Sequence, residues 1–471
     1  MMIEEELAKK AQLLENLVLV SSAQMDYDAA LGYAKSGLKL CEKLGDKQKI
    51  MRAHMGLNII YQGLGREDLA LEHVEAARTM LEEDPDSTEK GLLYQRIAHV
   101  YLHLGQPATA LGWAQRAVDL FAGLGVPMGA RLKAASSLGT AWTYTGRVDE
   151  GIAYNENVWD PVVKKGRALV TGILGQQLTL SLALVRDIPR ARKWGEKALP
   201  EATKFGIPTM DLFLRRPLAL IYALSGEVTK AEESCQAVEA ILDKVSVAET
   251  GAICPFEDVA GIGFHYLRQG EWDKARDYLE GAIAAHKDRN NLAAVDACSF
   301  VLGSLSLEEE NFPKAEELLL KSLEICRNGG NILFELWVLP VLAELYLKMG
   351  QPDKAAEYVD RGFELMKPDQ NWYGLPAPMY LAKGMLATTR KDWETATESF
   401  EKAIEINRQY ELAWDEARTL YERGLMYLAR GGKGDRDKAH KDLDEALAIF
   451  QKVGAKKDVE KVLRKKEMLG A

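Results

Sequence analysis

An alanine that returns about every forty residues constrains this chain more than any other feature. In a sequence of 471 residues, Ala30, Ala70, Ala110, Gly151, Ala191, Ala231, Ala275, Ala315, Ala355, Ala396 and Ala439 each close a short recurring segment. Typical members are Gly65-Arg-Glu-Asp-Leu-Ala70, Gly270-Glu-Trp-Asp-Lys-Ala275 and Gly350-Gln-Pro-Asp-Lys-Ala355. Successive members stand 40 to 44 residues apart. A fixed period in that range marks a stack of supersecondary units that share one core, not the three or so separate domains that length alone would suggest.

Each period reads as two helices. Twelve residues before the key alanine stands a small or polar residue, often with an aromatic three further on: Asn58 with Tyr61, Ala98 with Tyr101, Gly139 with Trp142, Ala219 with Tyr222, Gly263 with Tyr266, Ala343 with Tyr346. Seven residues after it comes a second small residue, such as Ala77, Ala117, Ala198, Ser322 or Gly362. Small columns let paired helices approach closely while the aromatic fills the remaining space, so these positions are packing and not chemistry. Gly45, Gly125, Gly206, Gly330 and Gly454 follow apolar-periodic stretches where left-handed C-caps belong. No window alternates as a strand does. The expected fold is all-α, a solenoid of about eleven helix-turn-helix units.

The Gly-Xaa-apolar-Xaa-Lys-Ala turn, the upstream small/aromatic pair and the downstream alanine together resemble the tetratricopeptide repeat (TPR), over essentially the whole chain. The standard unit of that family is about 34 residues, so this is a long-period form, similar to the sensor arms of bacterial and archaeal signal-transduction ATPases and nucleotide cyclases. The resemblance implies a right-handed superhelix of more than one turn whose first helices line a concave groove. Within that frame residues 1–454 are expected to form the repeat array. Residues 455–471, with Lys456, Lys457, Lys461, Arg464, Lys465 and Lys466 on one side and Val459, Val462, Leu463 and Met468 on the other, are expected to form a C-terminal capping helix.

Charge and composition narrow the function. Sixty Lys+Arg against seventy Asp+Glu give a net charge of -10, which leaves no bulk positive field for nucleic acid or an anionic membrane. The uncharged run Ala168 to Val185 carries Thr171, Gln176, Gln177, Thr179 and Ser181, which argues against a membrane span. Five cysteines, Cys41, Cys235, Cys254, Cys298 and Cys326, never fall as CxxC, and with an acidic N-terminus they point to a reducing, cytoplasmic setting. Gly431-Gly432-Lys433-Gly434 lacks the hydroxyl residue that a phosphate loop places after its lysine. His99 and His103 share a helix face but have no evident third ligand, and Val100 stands where HExxH needs a glutamate. No cofactor and no metal are expected.

These readings make the chain a non-catalytic scaffold or sensor module that holds a peptide, protein or small ligand in its groove and signals by changing superhelical pitch. The alternatives are a groove-located hydrolase or metal-dependent enzyme, and a structural self-assembly module. Counting from the small-residue column, the inward-pointing positions are Arg96, His99 and His103 in the third unit, Lys133, Ser136 and Thr140 in the fourth, Gln176 in the fifth, Arg216 in the sixth, and Glu257 with Phe264 in the seventh. This polar, mildly basic stretch suits a partner with an acidic segment. The pair Trp372-Tyr373, between Pro368 and Pro376, is expected to cover an irregular helix junction.

Overall fold

The computed structural model describes residues 2–24, 26–126, 131–164, 168–204, 206, 208–242, 260–287 and 290–470. Among them are eleven helix pairs, followed by one last helix, and no strand. In order, repeats 1 to 11 pair Met2–Ala23 with Tyr27–Leu44, Lys47–Gly63 with Glu67–Leu81, Thr88–His103 with Pro107–Gly123, and Leu132–Tyr144 with Val148–Lys164. Ala168–Leu184 follows with Ile188–Thr203, Pro208–Ser225 with Val228–Leu242, Gly261–Gln269 with Trp272–Lys287, and Leu292–Glu308 with Phe312–Gly329. The last three are Ile332–Lys348 with Pro352–Leu365, Pro376–Thr389 with Trp393–Gln409, and Ala413–Arg430 with Asp435–Lys452. The terminal helix is Lys456–Gly470.

The columns read from the sequence explain why the pairs form. All ten alanines of the key column are fully buried, at 0% exposure, because the second helix presents that position to the first. At Gly139 a Cβ would stand 2.5 Å from Asn155 Oδ1, and at Gly263 it would stand 2.5 Å from a Leu279 methyl, so the small column sets the helix separation. Asn58 uses its polarity instead, its Nδ2 donating to the carbonyl of Ala70 at 2.9 Å. Asp26, Asp46, Asp187, Asn311 and Asp392 accept from the N–H three residues on and start the helices that follow.

The aromatic column also ties each unit to the one before it. The hydroxyls of Tyr222, Tyr266 and Tyr346 donate to Glu196, Glu239 and Glu316 at 3.0, 2.9 and 2.6 Å. In each case the glutamate lies on the second helix of the preceding repeat. Burial, with the neighbouring carboxylate, pushes the Tyr222 phenol up to about 12 and moves Tyr266 and Tyr346 upward as well.

The stack winds so tightly that successive superhelical turns touch. Beside its neighbours, repeat 3 contacts repeat 8, repeat 4 contacts repeat 9 and repeat 6 contacts repeat 11, so the path returns on itself every five repeats. Backbone meets backbone at one seam: a Cβ on Gly329 would lie 1.8 Å from the carbonyl oxygen of Gly105. At another, Trp337 Nε1 donates to Leu184 O at 2.7 Å, and Gly374 N donates to Val185 O at 3.1 Å. Tyr373 OH donates to Asp149 at 2.6 Å, and Trp372 is 6% exposed. The Trp372-Tyr373 loop therefore sits between two turns of the coil. A change of pitch would have to break these contacts, which makes the array a closed coil more than an open spring.

Closure also fills the centre. In the first helix of repeat 8, Ala293 to Gly303 are all buried, and in repeat 9 so are Leu333 to Pro340. A helix buried on every face loses its amphipathic pattern. The first helix of repeat 5, Ala168–Leu184, is uncharged for the same reason. Among the described residues no helix is long and apolar enough to cross a membrane.

Candidate functional site

With its middle packed, the concave wall opens at two places. The smaller, of about 440 Å³, lies between the first helices of repeats 1 to 3. Met51, Met55, Ile59 and Leu92 give it an apolar lining, and Arg96 reaches it from repeat 3. No carboxylate answers that guanidinium, and burial alone pushes it down to about 10.

The larger opening, of about 720 Å³, is a crevice built by the first helices of repeats 7 to 11 and walled on one side by the terminal helix. Phe264, Phe300, Trp337, Trp414 and Tyr421 line it together with a dense set of charges. At its floor the guanidinium of Arg268 lies 3.1 Å from the centroid of the Trp414 ring and 4.6 Å from that of Phe264. Arg186 lies 4.3 Å over Trp337. Both arginines address a single carboxylate, Asp415, with N–O distances of 3.2 Å from Arg186 and 3.9 Å from Arg268. Burial raises the Asp415 carboxyl, but the two guanidiniums outweigh it and hold the group below the usual carboxylate range. Burial also pushes Arg268 down to about 10, against the pull of Asp415.

Both tryptophan plates are fixed from outside the crevice wall. Trp337 is anchored to Leu184 in the preceding superhelical turn, and Trp414 Nε1 donates to Asp458 of the terminal helix at 2.9 Å. Arg186 itself comes from that preceding turn. It stands where other repeats carry a turn glycine, such as Gly226 or Gly270, and adopts φ 60. Glu310 and Lys391 replace the same glycine and are exposed, whereas Arg186 is 5% exposed and threads inward. A left-handed non-glycine residue costs on the order of 1 kcal/mol.

The far end of the crevice is acidic and internally answered. Burial raises Glu344, but Arg418 and Lys348 outweigh it and bring it down to about 2. Arg418 hydrogen-bonds Glu344 directly, and Lys348 approaches it at 3.4 Å. Lys461 of the terminal helix faces Glu308 and Glu422, whose fields outweigh burial and raise its pKa, while burial raises Glu422.

The residues expected from sequence fall in several environments. Phe264 lines the large crevice and Arg96 the small one. His99 and His103 have ring centroids 4.3 Å apart. His99 Nδ1 lies 3.1 Å from Gln62 Nε2, and the buried His103 places Nδ1 2.9 Å from Glu67 Oε1. Ser136, Thr140, Gln176 and Arg216 are only 1 to 2% exposed, closed in by the packed centre. Ser136 donates to Gln177, and Asn155 Nδ2 to Thr140 Oγ1 at 3.4 Å. The side chain of Lys133, and Glu257 altogether, lie outside the described residues. Sequence spacing missed Arg186, Arg268, Trp337, Trp414 and Asp415; the one available signal was an arginine in the turn-glycine column. It also missed the His54–His73 contact, with Nδ1 atoms 2.9 Å apart. In the glycine-rich turn Gly431 to Gly434, Asp435 accepts from Gly432 N at 2.8 Å and from Arg430, so a carboxylate occupies the turn.

A binding array, not a globule with an interior site, is the class that this fold and crevice define. Tetratricopeptide repeat family models match residues 262–293 and 377–410, each spanning one helix pair, and the chain belongs to the tetratricopeptide repeat superfamily. Chains of this kind are in general protein-binding scaffolds. A Rap protein complexed with competence and sporulation factor has a similar fold, with a TM-score of 0.52 and 13% identity over 78% of this chain and 99% of that one. The Cut9–Hcn1 hetero-tetramer of the APC/C gives a TM-score of 0.42 and 13% identity, covering 98% of each chain. Sister chromatid cohesion protein SCC4 of Arabidopsis thaliana is 29% identical over 126 residues, which is 26% of this chain and 17% of that protein. The match thus spans about a sixth of that relative.

Proposed function

We propose that the chain is a non-catalytic binding module that takes a peptide segment of a protein partner into the crevice of repeats 7 to 11, with residues 1–454 as the array and 455–471 as its cap and side wall. One observation carries this reading: a concave opening of about 720 Å³ whose walls come from five first helices and the terminal helix. That volume lies in the range of ligand sites, and the lining, large aromatics with a few fixed charges, is the kind that anchors a side chain. A fold of the same type holds competence and sporulation factor in the Rap complex. The polar residues closed into the centre hold repeats together, and Arg96 with the apolar pocket around it is a secondary contact.

A photo-crosslinker distinguishes the two faces of the array. Placed at Met385, which lines the crevice, it should label a protein or peptide in cell extract. Placed at Glu324, exposed on the second helix of repeat 8, it should not. Trp414→Ala should abolish the Met385 product. Equal labelling from both positions sinks the proposal.

A further inference from the structure

The charges of the crevice do not balance locally. At the acidic end every carboxylate has a cation within reach, since Glu344 is held by Arg418 and Lys348, while Lys461 stands against Glu308 and Glu422. At the floor two guanidiniums share Asp415 alone. Arg186 Nε and Nη1 and Asp415 Oδ2 are buried and make no hydrogen bond, and their side chains are 7% and 9% exposed. Buried donors of a charged group are almost always satisfied, so donors left open toward a cavity mark where a ligand atom belongs. The rings of Trp337, Trp414 and Phe264 occupy guanidinium faces, leaving the N–H edges for an in-plane acceptor.

Building on the crevice reading, we infer that Arg186 and Arg268 form the receptor for one carboxylate of the bound peptide, its free C-terminus or an acidic side chain, with its neighbouring apolar side chain against Trp337 and Trp414. Two guanidiniums and Asp415 sum to a single positive charge, which a monoanion cancels. A phosphate dianion would leave excess negative charge buried beside Asp415, which is costly. Planar guanidinium edges also match a carboxylate in bidentate geometry. Lys457, Arg464 and Lys465 on the terminal helix line the same crevice and favour an approaching anion.

The test uses the full chain, immobilised, with two pools of random octapeptides that differ only in a free or an amidated C-terminus, followed by sequencing of what is retained. Free-acid peptides, or amidated ones carrying Asp or Glu, should be retained in preference to neutral peptides, and Arg268→Gln should weaken that preference by about tenfold or more. Since Arg186→Gln removes a buried group and can unfold the chain, Asp415→Asn is the second variant. It removes the competing carboxylate and should strengthen retention of acidic peptides while leaving neutral ones unchanged. If acidic and neutral peptides are retained alike, the carboxylate receptor is wrong while the crevice stays a binding site. If neither is retained and the Met385 crosslinker also labels nothing, the crevice reading itself falls. If inorganic phosphate displaces the acidic peptides as readily as free-acid peptides do, the pair is a general oxyanion site and the inference is overturned.

Discussion

Repeats 1 to 3 and repeats 7 to 11 are made from the same two-helix unit, yet their concave faces differ in kind. The N-terminal opening is lined only by sequence neighbours; it is apolar, and its one deep cation, Arg96, has no carboxylate against it. The C-terminal crevice draws Arg186 from the preceding superhelical turn and Asp458 and Lys461 from the terminal helix, and its charges are arranged in pairs. The difference teaches that a repeat supplies a wall, whereas a site needs parts brought in from outside the local stack.

Removing the terminal helix should break that contrast most completely. Truncation after Gly454 uncovers the surface on which Val462, fully buried, packs with Phe450 and Val453, and releases Trp414 from Asp458. Burial of Val462 and its apolar neighbours on that helix corresponds to roughly 3 kcal/mol or more, so urea unfolding followed by tryptophan fluorescence should show a clearly lower midpoint for the C-terminal repeats. An unchanged midpoint would mean that the crevice wall stands without its cap.

A pair of glycine substitutions separates turn-to-turn packing from ordinary repeat packing. Gly329→Ala drives a methyl into the carbonyl of Gly105, a backbone atom that cannot swing away, and should cost roughly 2 to 3 kcal/mol. In Gly37→Ala the methyl meets Leu14 Cβ at 3.7 Å, ordinary contact, and stability should stay within about 0.5 kcal/mol. Similar losses for both would deny that the seam between turns 1 and 2 is closed.

Acid should act more gently, and mainly on the N-terminal repeats. Burial lowers the pKa of His54, opposed by Glu42 and Glu72; burial and then His54 lower that of His73, with Lys35 adding and Glu72 opposing. The unfolded chain then binds protons more readily than the folded one, so stability is full above the unfolded value of 6.5 and is lost as pH falls below it toward the depressed folded values. His265 in repeat 7, also lowered by burial, adds a contribution of the same sign. Replacing both His54 and His73 by Asn should reduce the fall in Tm between pH 7.5 and 5.5 by about 1–2 °C. An unaltered fall would place the acid sensitivity elsewhere.

The repeat columns were legible because they are set by neighbours in sequence. Ala70 and Asn58 are twelve residues apart and meet across one turn, so a fixed spacing records their contact. The turn glycines and the capping Asp and Asn residues were legible for the same reason, since each serves a backbone group within a few residues. Arg186 and Asp415 are separated by more than two hundred positions and meet only because five repeats complete a turn. The polar stretch from Ser136 to Arg216 has the spacing of a groove wall, but closure of the coil encloses it.

What the sequence by itself determined is the unit: two helices, their caps, the small and aromatic columns that hold them, and the number of times the pattern is laid down. What only the tertiary structure decided is the angle between successive units, and from it which faces seal and which stay open. That angle arises from the sum of many small side-chain fits at the interfaces between repeats, and such a sum leaves no periodic trace in the order of residues.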